Sequence, residues 1–499
     1  MAEDHSTVVL YTLLALATTV YLGRWLRPGK NALPSVPTIG YTAPILSYYS
    51  AVQFVIKGRE MVQEGYNKYK GGAFKVPELF YWHVVVTGPK LIDDLRKAGS
   101  DELSFNEAAA EMLAVDFTLG PSIHKNTYHV AILKNQLTRG INILFPEMKD
   151  ELQSAFNDLV PSLDGWVKIP AFTAATKIIS RISNRVFVGL PKCRDPEYCA
   201  LNIEFAVSVA KSAFFINMFP QFLRPLAARL LTNVPKNIES GVQHLGPIIK
   251  QRLKMREQYG KDWEGKPNDL LMWFMDEAEG EEKAIRSLVL RILTVNFASI
   301  HTTSMSFTHA LFRLAANPEF IQPLRDEVSQ VIKEEGWTRN ALQRMRKVDS
   351  FLRESNRCHG LGSITMTRKA LKDFTFSDGT FIPKGCFVSA AEAPTHFDEA
   401  NYEYADVFNP WRFVDEEDTE SMKNQMVTTS TEYVTFGHGR FACPGRFFAA
   451  NELKAMMAYT VLNYDVKMEN EGVIPEPVWY SVKVMPNATA EVMFRRRQT

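Results

Sequence analysis

Of the five cysteines, at 193, 199, 358, 386 and 443, only the last has neighbours that could make it a ligand. Cys443 lies in the run Phe436-Gly437-His438-Gly439-Arg440-Phe441-Ala442-Cys443-Pro444-Gly445, and an apolar stretch of helical period follows. A thiolate, rather than a thiol, binds metal, and it needs hydrogen-bond donors close by. Glycines let the backbone curl so that amide N–H groups face the sulfur, and a helix behind adds its positive end. Gly437, Gly439 and Gly445 supply that pattern, so Cys443 is read as a thiolate ligand to a metal. A buried, inert cysteine beside a helix start is the competing reading. An odd cysteine count with no Cys-x-x-Cys argues for a reducing compartment, against a disulfide framework and against structural zinc.

Three further clusters stand upstream. Glu354-Ser355-Asn356-Arg357 puts a carboxylate and a guanidinium on one face of a helix. Arg412 follows within Pro410-Trp411-Arg412-Phe413. Before both, Glu281 to Asn317 reads as one long helix with Ala298-Ser299-Ile300-His301-Thr302-Thr303-Ser304 in its interior. Polar groups inside an apolar helix need local partners or a cavity to face.

The order Ala-x-x-x-Thr, Glu-x-x-Arg, Pro-Trp-Arg-Phe and Phe-x-x-Gly-x-x-x-Cys-x-Gly resembles the cytochrome P450 family of haem-thiolate monooxygenases, over nearly the whole chain. The resemblance implies a mainly α fold with small β-sheets, the cytochrome P450 fold, preceded by an N-terminal transmembrane helix. It implies heme b with Cys443 as axial thiolate, Phe436 packed near the sulfur, and Lys134 and Arg368 against the propionates. Glu354, Arg357 and Arg412 would form a buried structural triad. Thr302 would be the oxygen-side threonine that passes protons, with Thr303 as the neighbouring alternative.

Three positions depart from the family pattern. Phe441 stands where a basic residue is expected, which leaves one propionate anchor missing or supplied by Arg440. His301 replaces the acid before the threonine, and an imidazole can relay protons near neutral pH. Ser299 replaces a glycine. His301-Thr302-Thr303-Ser304, Pro394-Thr395-His396 and the residues around Cys443 resemble filamentous-fungal members, which include diterpenoid and other secondary-metabolite oxidases. The expected substrate is an apolar polycycle, a terpenoid first, with a steroid or prenylated indole as alternatives. Candidate pocket residues are Phe105, Met112, Val115 and Phe117, then Ala298 and Ile300, then Gly362, Ser363, Ile364 and Met366. A haem-thiolate isomerase or dehydratase needing no external electrons, and a haem carrier or sensor, are the rival functions. About 56 residues follow Cys443, too few for a reductase domain. Electrons would therefore come from a separate NADPH-cytochrome P450 reductase, with cytochrome b5 as a further partner.

These residues need elements to hold them. Helical period runs over Ala51–Tyr69, Pro89–Ala98, Thr127–Val160, Thr173–Val188, Pro196–Ala210, Asn237–Tyr259, Glu319–Glu335, Val348–Arg357 and Pro444–Leu462. Phe74–Thr87, Lys372–Val388 around Asp378-Gly379, Tyr480–Val484 and Ala490–Phe494 read as strands. Phe105–Ser122 reads as a long loop with helical pieces. Asn217–Leu230, apolar with two prolines, reads either as a lid dipping into lipid or as core. Ser6–Gly23 is uncharged over about 18 residues, at the short end for a membrane span. Acidic residues precede it and Arg24, Arg27 and Lys30 follow, which predicts a single-pass anchor with the body in the cytosol, at the endoplasmic reticulum. The chain then divides into an anchor and flank (1–27), a proline-rich linker (28–50) and the catalytic domain (51–499). The net charge of +1 gives no reason to expect a nucleic-acid partner.

Overall fold

The computed structural model describes residues 18, 33, 35–43, 46–161, 165–415 and 423–498. The expected membrane anchor lies outside them, apart from Thr18. Among the described residues one helix, Pro196–Asn217, is long and apolar enough to cross a membrane, and half of its apolar window is buried in the body.

The central element is the helix Ile285–Ala316, 32 residues long, or about 48 Å. It starts four residues later than the sequence pattern suggests, because Gly280–Lys283 forms a 3-10 turn first. Asn317 and Pro318 end it, since proline cannot continue a helix. Helices Ala171–Phe187, Pro196–Asn217, Val234–Tyr259 and Arg346–Cys358 pack around it. Leu288, Val289, Ile292 and Leu293 bury one end of its surface, and Phe307, Leu311 and Leu314 the other. Between residues 287 and 316 only Ala298 is exposed, so the helix is sealed at both ends and open in the middle.

Strands are short. They are β1 (Ala73–Pro77), β2 (Trp82–Val86), β3 (Leu103–Ser104), β4 (Val167–Pro170), β5 (Ile364–Ala370), β6 (Phe374–Thr375), β7 (Phe381–Ile382), β8 (Phe387–Ala391), β9 (Tyr464–Lys467), β10 (Val478–Tyr480), β11 (Lys483–Met485) and β12 (Glu491–Arg496). The largest sheet has the order β1-β2-β8-β5-β3, and β4-β12-β9 form a second. Strand β6 pairs with β7 across Asp378-Gly379, as the alternation there predicts. Strand β5 pairs antiparallel with β8, but the register shifts between Thr365 and Arg368. Met366 sits at that shift with φ of 55°, a left-handed conformation unfavourable for a side chain. Such a bulge re-aims the residues beside it, here Arg368.

The run before the central helix is continuous but irregular. Tyr128–Ile132 is α-helical, Leu133–Leu137 forms a π turn, and Thr138–Leu159 is α-helical again. Helix Pro196–Asn217 extends seven residues past the expected Ala210, because no breaker occurs before Pro220. Beyond it, Arg224–Leu231 is helical, and Phe222 (75% exposed), Leu226 and Leu230 face outward. Those three side chains are exposed rather than core, whereas Ala227 and Ala228 of helix Arg224–Leu231 are buried.

Candidate active site

The cysteine loop is held by its own backbone. The Cys443 N–H donates to the Phe436 carbonyl at 2.8 Å, and the Gly437 N–H to the Val434 carbonyl at 2.8 Å. Gly437 and Gly439 have φ of 67° and 75°. A Cβ on Gly439 would lie 2.2 Å from Arg96 Cγ, so both conformation and contact require glycine there. The helix Arg446–Asn463 begins immediately after, with Gly445 as its N-cap. Burial pushes the Cys443 thiol up, while the N–H groups of Gly445 and Arg446 and the Arg446 guanidinium pull it down. These donors favour a thiolate once a cation is present to share the charge.

Glu354 and Arg357 occupy adjacent turns of helix Arg346–Cys358, with no exposed side-chain surface. The carboxylate accepts from Arg357 Nε and Nη2, both at 2.7 Å, from Arg412 Nε at 3.1 Å, and from the Asn409 N–H at 3.0 Å. Arg357 also donates to the carbonyls of His396 and Ala405, and Arg412 to those of Glu403 and Val407. A residue with no role assigned from sequence joins this cluster to the cysteine loop. His396 offers Nε2 to the Val434 N–H at 3.2 Å. Burial, reinforced by the neighbouring Arg357 and Arg353 charges, lowers its pKa to about 3, so the ring stays neutral with its proton on Nδ1. Only its place in Pro394-Thr395-His396 marked it in the sequence.

On the central helix, Ala298 and Thr302 share the open face one turn apart. The Thr302 hydroxyl donates back to the Ala298 carbonyl at 2.9 Å and lies 3.2 Å from that of Ser299. Thr303 is buried beside it. His301 points elsewhere, with Nε2 3.0 Å from the Ile203 carbonyl of the neighbouring helix. Ile300, expected in the pocket, has 0% exposure. Two residues along a helix is about 200° around it, so Ile300 packs on the side opposite Ala298. Ser363 is likewise fully buried, with its backbone joined to Val482 at 2.7 Å and to Glu392 at 2.7 Å; together with Gly362 it lines a cavity beside His359, Pro394 and Trp479 that does not include Ala298 or Thr302. Val115 and Ile364 are buried too, whereas Phe105 and Met112 are exposed. Phe117 packs against Ala114, Ala213, Ile216 and Ala228. Met366 meets the cysteine loop: a Cβ on Gly437 would stand 3.9 Å from its Cγ.

The described residues contain no group of three or more His, Cys, Asp or Glu side chains able to hold a bare metal ion. A metal at Cys443 must therefore bring its own remaining ligands. A second requirement comes from Arg368, 2% exposed on β5. Its guanidinium donates to the carbonyl of its own neighbour Thr367 at 3.0 Å, and its Nε has no partner. Burial lowers its pKa to about 10. A buried cation without an anion is costly, and a ligand carboxylate would relieve it. Lys134, on the π turn, is exposed and donates to the Arg440 carbonyl at 3.1 Å. The Arg440 side chain is exposed as well. A metal macrocycle bearing carboxylates fits these demands: Cys443 would hold its metal and Arg368 would take a carboxylate.

Comparison with known proteins gives the family. Residues 68–494 match the family described as Cytochrome P450. The chain is 45% identical to cytochrome P450 monooxygenase 151 of Postia placenta over 98% of its own length and 99% of that protein. It is 35% identical to cytochrome P450 monooxygenase CYP512U6 of Ganoderma lucidum, over 99% and 97%. Ent-kaurene oxidase P450-4 of Gibberella fujikuroi is 32% identical, with 94% of each chain covered. Among solved structures, retinoic acid-bound cyanobacterial CYP120A1 superposes with a TM-score of 0.68 at 18% identity, covering 94% of this chain and all of that one, which establishes the fold. The chain therefore belongs to the cytochrome P450 family: it is a monooxygenase whose haem iron takes its axial thiolate from a cysteine, here Cys443.

Proposed function

We propose that this monooxygenase oxidises an apolar polycyclic terpenoid in fungal secondary metabolism, at the cytosolic face of the endoplasmic reticulum. The observation that carries the substrate class is the likeness to ent-kaurene oxidases of Gibberella fujikuroi and Fusarium fujikuroi, each at 32% identity over 94% of this chain. The outward-facing Phe222, Leu226 and Leu230 support delivery of such a substrate from a bilayer. The uncharged Ser6–Gly23 stretch supports an anchor in the same bilayer. Electrons come from NADPH through a separate membrane-bound reductase, with cytochrome b5 as a second donor.

The thiolate-ligated haem supplies activation of dioxygen for insertion of one oxygen atom into a C–H bond. The protein's part is to place and protonate. Cys443 would hold the iron through its thiolate, and Arg368 would take a propionate carboxylate. Thr302, on the open face, can turn its hydroxyl from the Ala298 carbonyl toward a ligand and hold a proton there. Thr303 is the neighbouring hydroxyl. His301, tied to Ile203, lies off that path, and so serves proton delivery only after leaving that carbonyl. Phe105 and Met112 are the exposed side chains left to meet substrate from their segment.

The test is NADPH-dependent oxygen uptake by the full chain with reductase, over a panel of diterpenes, steroids and prenylated indoles. Turnover of a diterpene supports the reading; turnover confined to steroids or indoles overturns the substrate class. Conversion without NADPH would make the enzyme an isomerase or dehydratase. Thr302→Ala is expected to consume more NADPH per product formed. Unchanged coupling would move the role to Thr303, Ser299 or His301.

A further inference from the structure

Phe441, two residues before the axial cysteine, is an aromatic residue where a second cation would be expected. Its ring centroid lies 4.8 Å from the Arg368 guanidinium carbon. On the other ring, Phe105, the distance is 5.6 Å, and the two rings are 6.4 Å apart, tilted by 34°. Three distant segments thus converge on one buried cation: the start of helix Phe105–Met112, the strand after the Met366 bulge, and the cysteine loop. The three distances make a nearly equilateral triangle, so the two rings meet the cation from the same side, as an aromatic corner, and leave its other side free for a ligand. An arginine or histidinium at 441 would instead repel Arg368 at this separation, in surroundings of low dielectric.

We propose that Phe441 and Phe105 are positioning residues whose rings form an aromatic corner that backs Arg368 from one side and turns its donors toward a haem propionate. An arginine backed by aromatic rings, rather than a second cation at position 441, then fastens that edge of the cofactor. The replacement at 441 is therefore a change in how the anchor is built, not simply the loss of one. The inference rests on the haem assignment and is independent of the substrate reading.

The experiment measures haem loss from the purified holoenzyme to excess apomyoglobin. The proteins are wild type, Phe441→Leu, Phe441→Trp, Phe105→Leu, Arg368→Leu and the Phe441→Leu/Arg368→Leu double variant. Leucine keeps the apolar bulk and removes the ring face. Phe441→Leu and Phe105→Leu should each release haem about threefold to tenfold faster. Phe441→Trp should behave as wild type, and Phe441→Leu should add nothing once Arg368 is gone. The haem-propionate bending band in resonance Raman should shift in Phe441→Leu and stay in place in Phe441→Trp, which general loosening would not produce. A wild-type rate in both leucine variants, or an equal acceleration with and without Arg368, overturns the proposal. If Phe441→Leu loads no haem, Phe105→Leu decides from the other side. Failure of the diterpene panel would leave these rates untouched, so the two readings fail separately.

Discussion

Replacing Glu354 by glutamine removes one negative charge from a site that holds two positive ones. The shape is kept, but the new amide NH2 faces guanidinium donors. Arg357 is 1% exposed and Arg412 is 12% exposed at its side chain, so little water reaches the charge left behind. The carbonyls of His396, Ala405, Glu403 and Val407 remain as partners, yet they carry only partial charge. Breaking a buried pair from one side costs about 3–5 kcal/mol. Arg412→Leu is milder, because the two-pronged Glu354–Arg357 pair survives; loss of a charged hydrogen-bond unit costs about 1.5–3 kcal/mol. With an unfolding entropy of about 2 cal/mol/K per residue over a domain of this size, 1 kcal/mol moves Tm by roughly 1 °C. Glu354→Gln should therefore melt about 3–5 °C below wild type and Arg412→Leu about 1–3 °C below. Calorimetry at one fixed scan rate is the assay, since a large enzyme unfolds irreversibly and its Tm depends on rate. The fraction of purified chain that retains haem gives a second measure in the same order. A Glu354→Gln melt within about 1 °C of wild type, or an Arg412→Leu melt below that of Glu354→Gln, would refute this account of the cluster.

Two other outcomes follow from groups outside the triad. Glu452 is fully buried on the helix after the cysteine, accepts only from Ser183 at 3.0 Å, and burial pushes its pKa up to about 8. The folded state then holds a proton that the unfolded chain releases near pH 4.3, so stability is greatest below that pH and falls as pH rises toward 8. Glu452→Gln should melt higher than wild type at pH 8.5 and converge with it near pH 5; parallel profiles would show that this carboxyl does not titrate across the window. His396→Ala leaves the fully buried Val434 N–H without an acceptor, which costs about 1–3 kcal/mol, and haem should dissociate faster than from wild type. His396→Gln can still accept that bond and should recover most of the loss; equal loss in both variants would exclude the hydrogen bond as the cause.

Legibility in the sequence followed the range of the interaction. Glu354 and Arg357 are one helical turn apart, so their pairing is a local pattern, and Gly437 and Gly439 advertise their left-handed backbone directly. The central helix was readable from its unbroken apolar period, and its start was misplaced only because Gly280–Lys283 turns before it. Strand β5 is hard to read because its buried positions, Ile364, Met366, Arg368 and Ala370, alternate strictly but include an arginine where an apolar residue would mark the face. Strand β4 is four residues with a proline, too short for any period. Ile300 lies on the same helix as Ala298, but two residues are about 200° around it, so Ile300 is on the packed face, a phase that residue type does not reveal. The Phe105–Arg368–Phe441 cluster and the Lys134–Arg440 contact join segments far apart in sequence through aromatic rings and a backbone carbonyl, for which residue type carries no spacing rule.

The π turn at Leu133–Leu137 sets limits on what this chain can lose. Ahead of it, His129 Nδ1 lies 2.8 Å from Arg291 Nη1 and the Tyr128 ring 4.1 Å from the same guanidinium, on the central helix. Within it, Lys134 reaches the cysteine loop. Removing one residue there would restore a regular helix, with no gap and no clash in the local backbone. It would also turn everything upstream by about 100° and draw it in by about 1.5 Å. Tyr128 and His129 would then swing off Arg291 while Lys134 kept its place, or the reverse. The extra residue works as a phase adjustment between two partners, so single deletions at 133–137 should be far less tolerated than deletions in the polar loop at 260–267.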